Sequence, residues 1–197
     1  MRLRYSPTSP FARKVRVAAA LVGIPLELDL ADTLNPDATL RSHNPLGKIP
    51  ILLREGKGPL YDSSVILAYL DHLSGGRLLP SDPEAKFEEM RLEALADGIA
   101  DAALLQVYEV RFRPEEHRVA KWLDHQAGKV AAALDALEAA PPPVDRDPTV
   151  GDIALACALG YLDFRLEGRW RTDHPRLVGW YDSFVKRVPL FLDSAPS

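Results

Sequence analysis

The segment Ser74-Gly75-Gly76-Arg77-Leu78-Leu79-Pro80-Ser81-Asp82-Pro83 divides the chain into two kinds of sequence. Its Gly, Pro and Ser residues interrupt regular structure, and composition differs on either side. Nine of the 17 prolines fall within residues 1–83, whereas residues 84–140 contain only Pro114. Frequent prolines imply short elements and turns; a long proline-poor stretch permits long helices. Charge changes too: residues 1–76 carry 9 basic and 7 acidic side chains, residues 77–197 carry 15 and 21. The expected organisation is one domain over residues 1–76, a linker over 77–83 and a second domain over 84–197.

Upstream of the break, strands and helices alternate. Arg2–Tyr5 reads as a short strand before a turn. Phe11, Val15, Ala18 and Val22 recur at helical spacing, predicting a helix from Pro10 to Val22 that Gly23 stops. Leu26–Leu30 alternates apolar and acidic residues, a strand pattern. Asn35–Arg41 is an irregular or short helical connection. Ile49–Arg54 is an apolar strand, and a turn at Glu55–Gly58 folds it into a hairpin with Pro59–Tyr61. Ser63–Leu73 reads as a helix with Ile66, Leu67, Tyr69, Leu70 and Leu73 inward. The order β-α-β-α-β-β-α specifies a small α/β sheet covered by helices.

Downstream the pattern is helical. Pro83 suits the first turn of a helix reaching towards Arg111, and Pro114 opens a second that ends near Glu138. Residues 139–148, with four prolines, form a loop. Thr149-Val150-Gly151-Asp152 is a capping box, which makes Asp152 a structural acid. The nearly uncharged run Ile153–Leu162 then reads as a buried helix, with Cys157 a small core residue. A last helix runs from Pro175 to about Val188.

Composition narrows the function. The 197 residues carry 24 Lys+Arg against 28 Asp+Glu, a net charge of −4, and 47% are apolar. Such a chain folds, since disorder requires low hydrophobicity and high net charge. It has no positive excess to neutralise phosphates, so no nucleic-acid partner is expected. Lone Cys157 can form neither an internal disulfide nor a cysteine zinc site, which fits a reducing compartment. The N-terminus lacks the apolar core of a signal peptide, and nowhere do about 18 uncharged apolar residues run together. A cytoplasmic protein without a membrane partner is the expectation.

Four segments stand out in order: Ser9-Pro10-Phe11-Ala12-Arg13-Lys14-Val15-Arg16 at the first strand-to-helix turn, Asn44-Pro45-Leu46-Gly47-Lys48-Ile49-Pro50 before the third strand, Asp62-Ser63-Ser64 at the third helix start, and Thr149-Val150-Gly151-Asp152-Ile153-Ala154 at the buried helix. With the length and the compositional break, this set resembles the cytosolic glutathione S-transferases over essentially the whole chain. It looks most like a bacterial branch whose active-site residue is serine. The resemblance implies a thioredoxin-like α/β N-terminal domain that binds glutathione. It also implies an all-α C-terminal domain supplying most of the pocket for a second substrate.

The resemblance also assigns roles. Ser9 before Pro10 is a favoured helix N-cap in any case. As the match to the family's catalytic Ser or Cys, it would donate a hydrogen bond to the glutathione sulfur and favour thiolate, aided by the helix N-terminus. Ser6 and Thr8 are nearby hydroxyls, and Tyr5 reads as a packed strand residue. A cis Ile49–Pro50 bond would turn the Ile49 backbone towards the tripeptide. Lys48 is either a partner of the glycine carboxylate or solvated surface; His43 reads as structural or surface. Asp62 would pair with the γ-glutamyl ammonium, and Ser63 with helix N-terminal amides would receive its carboxylate. Asp97 and Asp101 share a helix face, as solvated surface or with Asp101 reaching the partner subunit's glutathione. Tyr108, Arg111 and Phe112 lie where the family walls its second-substrate pocket.

The implied activity is a homodimeric glutathione transferase acting on a small hydrophobic electrophile, with glutathione as co-substrate and neither metal nor cofactor. The alternatives are a binding or regulatory protein of the same fold, and a glutathione-dependent isomerase, dehalogenase or peroxidase. The absence of cysteine at position 9 counts against thiol–disulfide chemistry.

Overall fold

In the computed structural model, which describes residues 1–196, Leu3 is wholly buried at the centre of β1 (Arg2–Tyr5), and the sheet assembles around this strand. The strand order is β2-β1-β3-β4. β2 (Glu27–Leu30) runs parallel to β1, pairing Leu3 with Leu28, after the crossover helix α1 (Pro10–Leu21). β3 (Ile51–Arg54) returns antiparallel, pairing Leu3 with Leu52, and β4 (Lys57–Leu60) completes the hairpin. The hairpin turns at Glu55–Gly56, so its second strand starts at Lys57 rather than Pro59; Gly56 takes the positive φ of 66° that the tight turn requires. Short α2 (Leu40–His43) precedes β3, and α3 (Ser63–Leu73) follows β4.

Two sequence expectations change here. The alternation in β2 does not sort its side chains, because the strand lies at the sheet edge: Leu28 and Leu30 are both exposed. In α3, Ile66, Leu67 and Leu70 are buried and Tyr69 packs against the core, but Leu73 is 46% exposed on the last helical residue.

Helices alone make up the rest: α4 (Pro83–Phe112), α5 (Ala120–Ala139), α6 (Val150–Arg165) and α7 (Pro175–Arg187). Asp82 caps α4 by accepting the Ala85 N–H at 2.9 Å. Pro114 does not open the next helix. It leads into a 3-10 turn (Glu115–His117), Arg118 is extended, and α5 starts only at Ala120. Buried Glu109 of α4 reaches across to accept the Val119 N–H at 3.0 Å, supplying the missing cap.

The capping box at the start of α6 is complete, with Thr149 N–H donating to Asp152 Oδ2 at 3.0 Å. Arg146 pairs with both Asp152 (2.9 Å) and Glu89 (2.8 Å), tying α6 to α4. Every residue from Val150 to Leu162 is buried, because α4 covers one side of α6 and α1 another. That packing requires glycine at 151, where a Cβ would lie 2.9 Å from the Glu89 carbonyl oxygen and Leu92 Cβ. At Gly160 the space is filled by Arg13 of α1. Its Nε donates to Ser194 Oγ at 3.1 Å and its Nη2 to the Phe191 carbonyl at 3.0 Å, with the guanidinium 3.8 Å from the Phe191 ring. Thioredoxin-like sheet layer and helical layer thus share one interior.

Candidate active site

Three strand-to-helix junctions and one helix wall build the site. Ser9 caps α1: its Oγ accepts the Ala12 N–H at 3.2 Å and Pro10 occupies the first helical position. This uses an oxygen lone pair and leaves the hydroxyl hydrogen available to a ligand. Ser6 Oγ and Thr8 Oγ1 lie 3.2 Å apart, so one hydroxyl donates to the other. Tyr5 ends β1 with the Arg16 guanidinium 5.2 Å from its ring, a packed strand residue.

The Ile49–Pro50 peptide bond is cis. Buried Asn44 fixes the loop before it, donating to the Lys48 carbonyl at 2.9 Å and accepting the Leu46 N–H at 3.1 Å. His43 is structural: its Nδ1 lies 3.3 Å from Arg4, whose buried side chain also binds Asp37 and Thr39. Arg4 thereby ties the loop before α2 to the sheet.

Asp62 caps α3, accepting the Ser64 N–H at 3.2 Å, and Ser63 is buried beside it. Just inside that helix start lies a buried charge cluster absent from the sequence reading. Lys14 of α1, 1% exposed, donates to Glu93 at 2.9 Å and to Asp97 at 2.7 Å, and lies 3.4 Å from Ser64 Oγ. Ser64 in turn donates to Asp97 at 3.2 Å. Asp97 is therefore a half-buried ion-pair partner rather than solvated surface. Burial raises its carboxyl above the ordinary range, against the pull of Lys14. The signal was present: Lys14 stands three residues after Phe11 and four before Ala18, inside the apolar stripe of α1.

A cavity of about 840 Å³ opens between the two layers. Ser9, Lys48 and Ile49 face it from the sheet layer; Asp101, Tyr108, Arg111 and Phe112 face it from α4. Pro50, Asp62 and Ser63 are not among its walls. Asp101 is exposed, and Tyr108 and Phe112 meet edge to face at 5.2 Å between ring centroids. α6 adds Tyr161, inside the run read as buried, and Arg165, just beyond it; the sequence singled out neither. Burial raises the Tyr161 phenol, which therefore stays a hydrogen-bond donor at neutral pH. Cys157, one turn earlier, lies under Ser9 in a narrow void, and burial pushes its thiol up to about 12, leaving it unreactive. No group of three or more His, Cys, Asp or Glu side chains is placed to hold a metal among the described residues, and no helix among them is long and apolar enough to cross a membrane.

Fold and cleft define a thioredoxin-like protein with a ligand cavity between its sheet layer and its helical layer. The family model described as "Glutathione S-transferase, N-terminal domain" matches residues 8–73, and "Glutathione S-transferase, C-terminal domain" matches residues 120–183. The uncharacterized GST-like protein YibF of Escherichia coli (strain K12) is 35% identical over 192 residues, 95% of each chain. A glutathione S-transferase from Methylobacillus flagellatus, crystallised with glutathione bound, has a TM-score of 0.92 at 40% identity, covering 100% of this chain and 99% of that one. A glutathione transferase family member from Pseudomonas fluorescens Pf-5, crystallised with S-(propanoic acid)-glutathione, has a TM-score of 0.88 at 39% identity, with full coverage of both chains. The chain belongs to the glutathione S-transferase family.

Proposed function

We propose that this protein is a serine-type glutathione transferase that joins glutathione to a small hydrophobic electrophile. The observation that carries the reading is Ser9, a hydroxyl at the positive end of α1 that opens on the cavity shared with Ile49 and the α4 wall. A thiolate placed there receives a charge-assisted hydrogen bond from the hydroxyl and the field of the helix terminus. The Ile49 backbone beside cis Pro50 pairs with the tripeptide. Asp62 holds the γ-glutamyl ammonium, Ser63 and the α3 amides its carboxylate, and Lys48 the glycine carboxylate. Asp101 completes the γ-glutamyl site of the partner subunit in a homodimer. Residues 1–76 act as the glutathione-binding domain, residues 84–197 as the electrophile-binding domain, with 77–83 between them. The S-substituted glutathione held by the Pseudomonas fluorescens relative supports a site that accommodates a conjugate.

Chemically, the thiol proton leaves to solvent, the sulfur bonds the electrophilic carbon and the leaving group departs with the electron pair. The protein contributes thiolate formation and proximity. Ser9→Ala tests this. Glutathione affinity should change little, whereas the bound thiol should shift towards the free-thiol range of about 8.5. Turnover near neutral pH should fall about 10–150-fold, since a hydrogen bond to a charged group is worth about 1.5–3 kcal/mol, and partly recover at alkaline pH. The measurement is the pH–rate profile at saturating glutathione, with Ser6→Ala as control. A profile left in place makes Ser9 only a helix cap; glutathione binding without turnover of any electrophile makes the protein a binding member of the family.

A further inference from the structure

Two arginines of the cavity wall have no carboxylate partner among the described residues. Arg111 lies at the C-terminal end of α4 and Arg165 at the C-terminal end of α6, and both line the cavity. Neither forms an ion pair among the described residues, and the Arg165 Nε is buried without a hydrogen-bond partner there. The carboxylates next to them in sequence are committed to other arginines: Glu109 to Arg113 at 3.1 Å, Asp163 to Arg171 at 2.6 Å and Glu167 to Arg169 at 2.7 Å. The two acids of the cavity wall do not compensate. Asp32 accepts from the Leu34 N–H at 2.7 Å and from Asn35 at 3.0 Å. Asp101 stands ten residues before Arg111, about 15 Å along the helix axis.

Aromatic side chains flank both arginines. Arg165 stacks on Phe164 at 4.1 Å and Arg111 lies 5.9 Å from the Tyr108 ring. The Tyr161 phenol lines the same cavity as both arginines. Tyr108 and Phe112 supply aromatic surface beside them. An unpaired guanidinium fork at the edge of a partly desolvated cavity gains most from a carboxylate, which it can meet with two parallel hydrogen bonds.

We propose that the second substrate is a small electrophile bearing a carboxylate, with its apolar part against Tyr108 and Phe112 and its carboxylate on Arg111 and Arg165. This rests on the transferase reading above, and the two can fail separately. In the test reaction a chloronitrobenzoate is the electrophile: the glutathione sulfur bonds the ring carbon and chloride leaves. The corresponding neutral chloronitrobenzamide is the comparison, and each rate is divided by its uncatalysed rate to remove intrinsic reactivity.

The native protein should favour the acid over the amide by roughly tenfold or more in corrected kcat/KM. Arg165→Gln and Arg111→Gln should each cut that preference severalfold, mainly by raising KM for the acid, and together should bring it near one. Arg165→Lys, which keeps the charge and loses the fork, should retain part of it. Calorimetry on the two glutathione conjugates, carboxylated and carbamoylated, gives a readout independent of turnover, with the acid conjugate the tighter ligand in the native protein only. Equal handling of acid and amide by the native protein, or a preference untouched by both substitutions, overturns the inference and leaves the transferase reading standing. Arginine-dependent binding of the acid conjugate with no turnover keeps the inference and removes the transferase reading; binding of neither conjugate removes both.

Discussion

Lys14→Met is the most informative change to the interior. Methionine preserves length and apolar bulk but removes the one cation held between Glu93 and Asp97. The Lys14 side chain is 1% exposed and Glu93 is 8% exposed, so little water can take its place. Breaking a buried ion pair from one side costs about 3–5 kcal/mol, because the partner charge stays buried and uncompensated. With a urea m-value of about 2–3 kcal/mol/M, the unfolding midpoint should fall by about 1–2 M at pH 7.5. The deficit should also depend on pH in a definite direction. Burial raises the Asp97 carboxyl, Glu93 adds to the rise and Lys14 opposes it. A carboxyl raised in the folded state still holds a proton there at pH values where the unfolded chain has lost it. Stability therefore falls as pH rises from the unfolded value through the folded one. Without Lys14 that window widens upward, so the gap between variant and native protein should be largest near neutrality and shrink as pH falls through the raised range. Urea titrations of both proteins at pH 7.5 and 5.5 measure this. A loss below 1 kcal/mol, or a gap that is the same at both pH values, would refute the account of the cluster.

Asp62→Ala should weaken glutathione binding about 10–150-fold, the worth of a hydrogen-bonded charge, while costing only about 0.5–2 kcal/mol of stability as a lost cap; calorimetric affinity unchanged beside a lowered melting temperature would reduce Asp62 to its capping role. Gly151→Ala should destabilise by about 1–3 kcal/mol through overpacking, because its methyl meets Glu89 backbone and Leu92 at 2.9 Å; an unaltered denaturation midpoint would contradict the packing of α6 on α4. Exposed Val65 on α3 and exposed Phe87 and Met90 on α4 supply apolar surface for a homodimer, so light scattering at micromolar concentration should give twice the chain mass; a mass near one chain would end both the dimer and the role of Asp101 across it.

Most of the element order was legible because local signals agreed with tertiary packing. Pro10, Pro83 and Pro175 each open a helix, and the Thr149–Asp152 box opens α6. The misread start of α5 has a tertiary cause: its cap comes from Glu109, ten residues earlier on another helix, and no local pattern announces that. β2 misled for a similar reason, since alternation shows a half-buried strand only when the strand has neighbours on its face. Within the cavity, hydroxyls and cations at element ends were visible one by one. What brought Arg165 and Tyr161 opposite α4 was the crossing of two helices some fifty residues apart in the chain, and periodicity within α6 spoke only of burial. Lys14 was readable in principle as a charge inside an apolar stripe, although its partners were not.

The seat of Arg13 bears on how the polypeptide matures during synthesis. This guanidinium is buried one turn into α1, four residues after Ser9, yet its hydrogen-bond acceptors lie 178 and 181 positions later in the chain. A nascent chain that has emerged only through α3 can pair its strands but leaves that cation in want of Phe191 and Ser194. Vectorial folding, in which an N-terminal unit closes while the remainder is still on the ribosome, therefore stops short at the helix that carries the candidate nucleophile-activating residue. Its final closure waits on the segment that arrives last among these contacts.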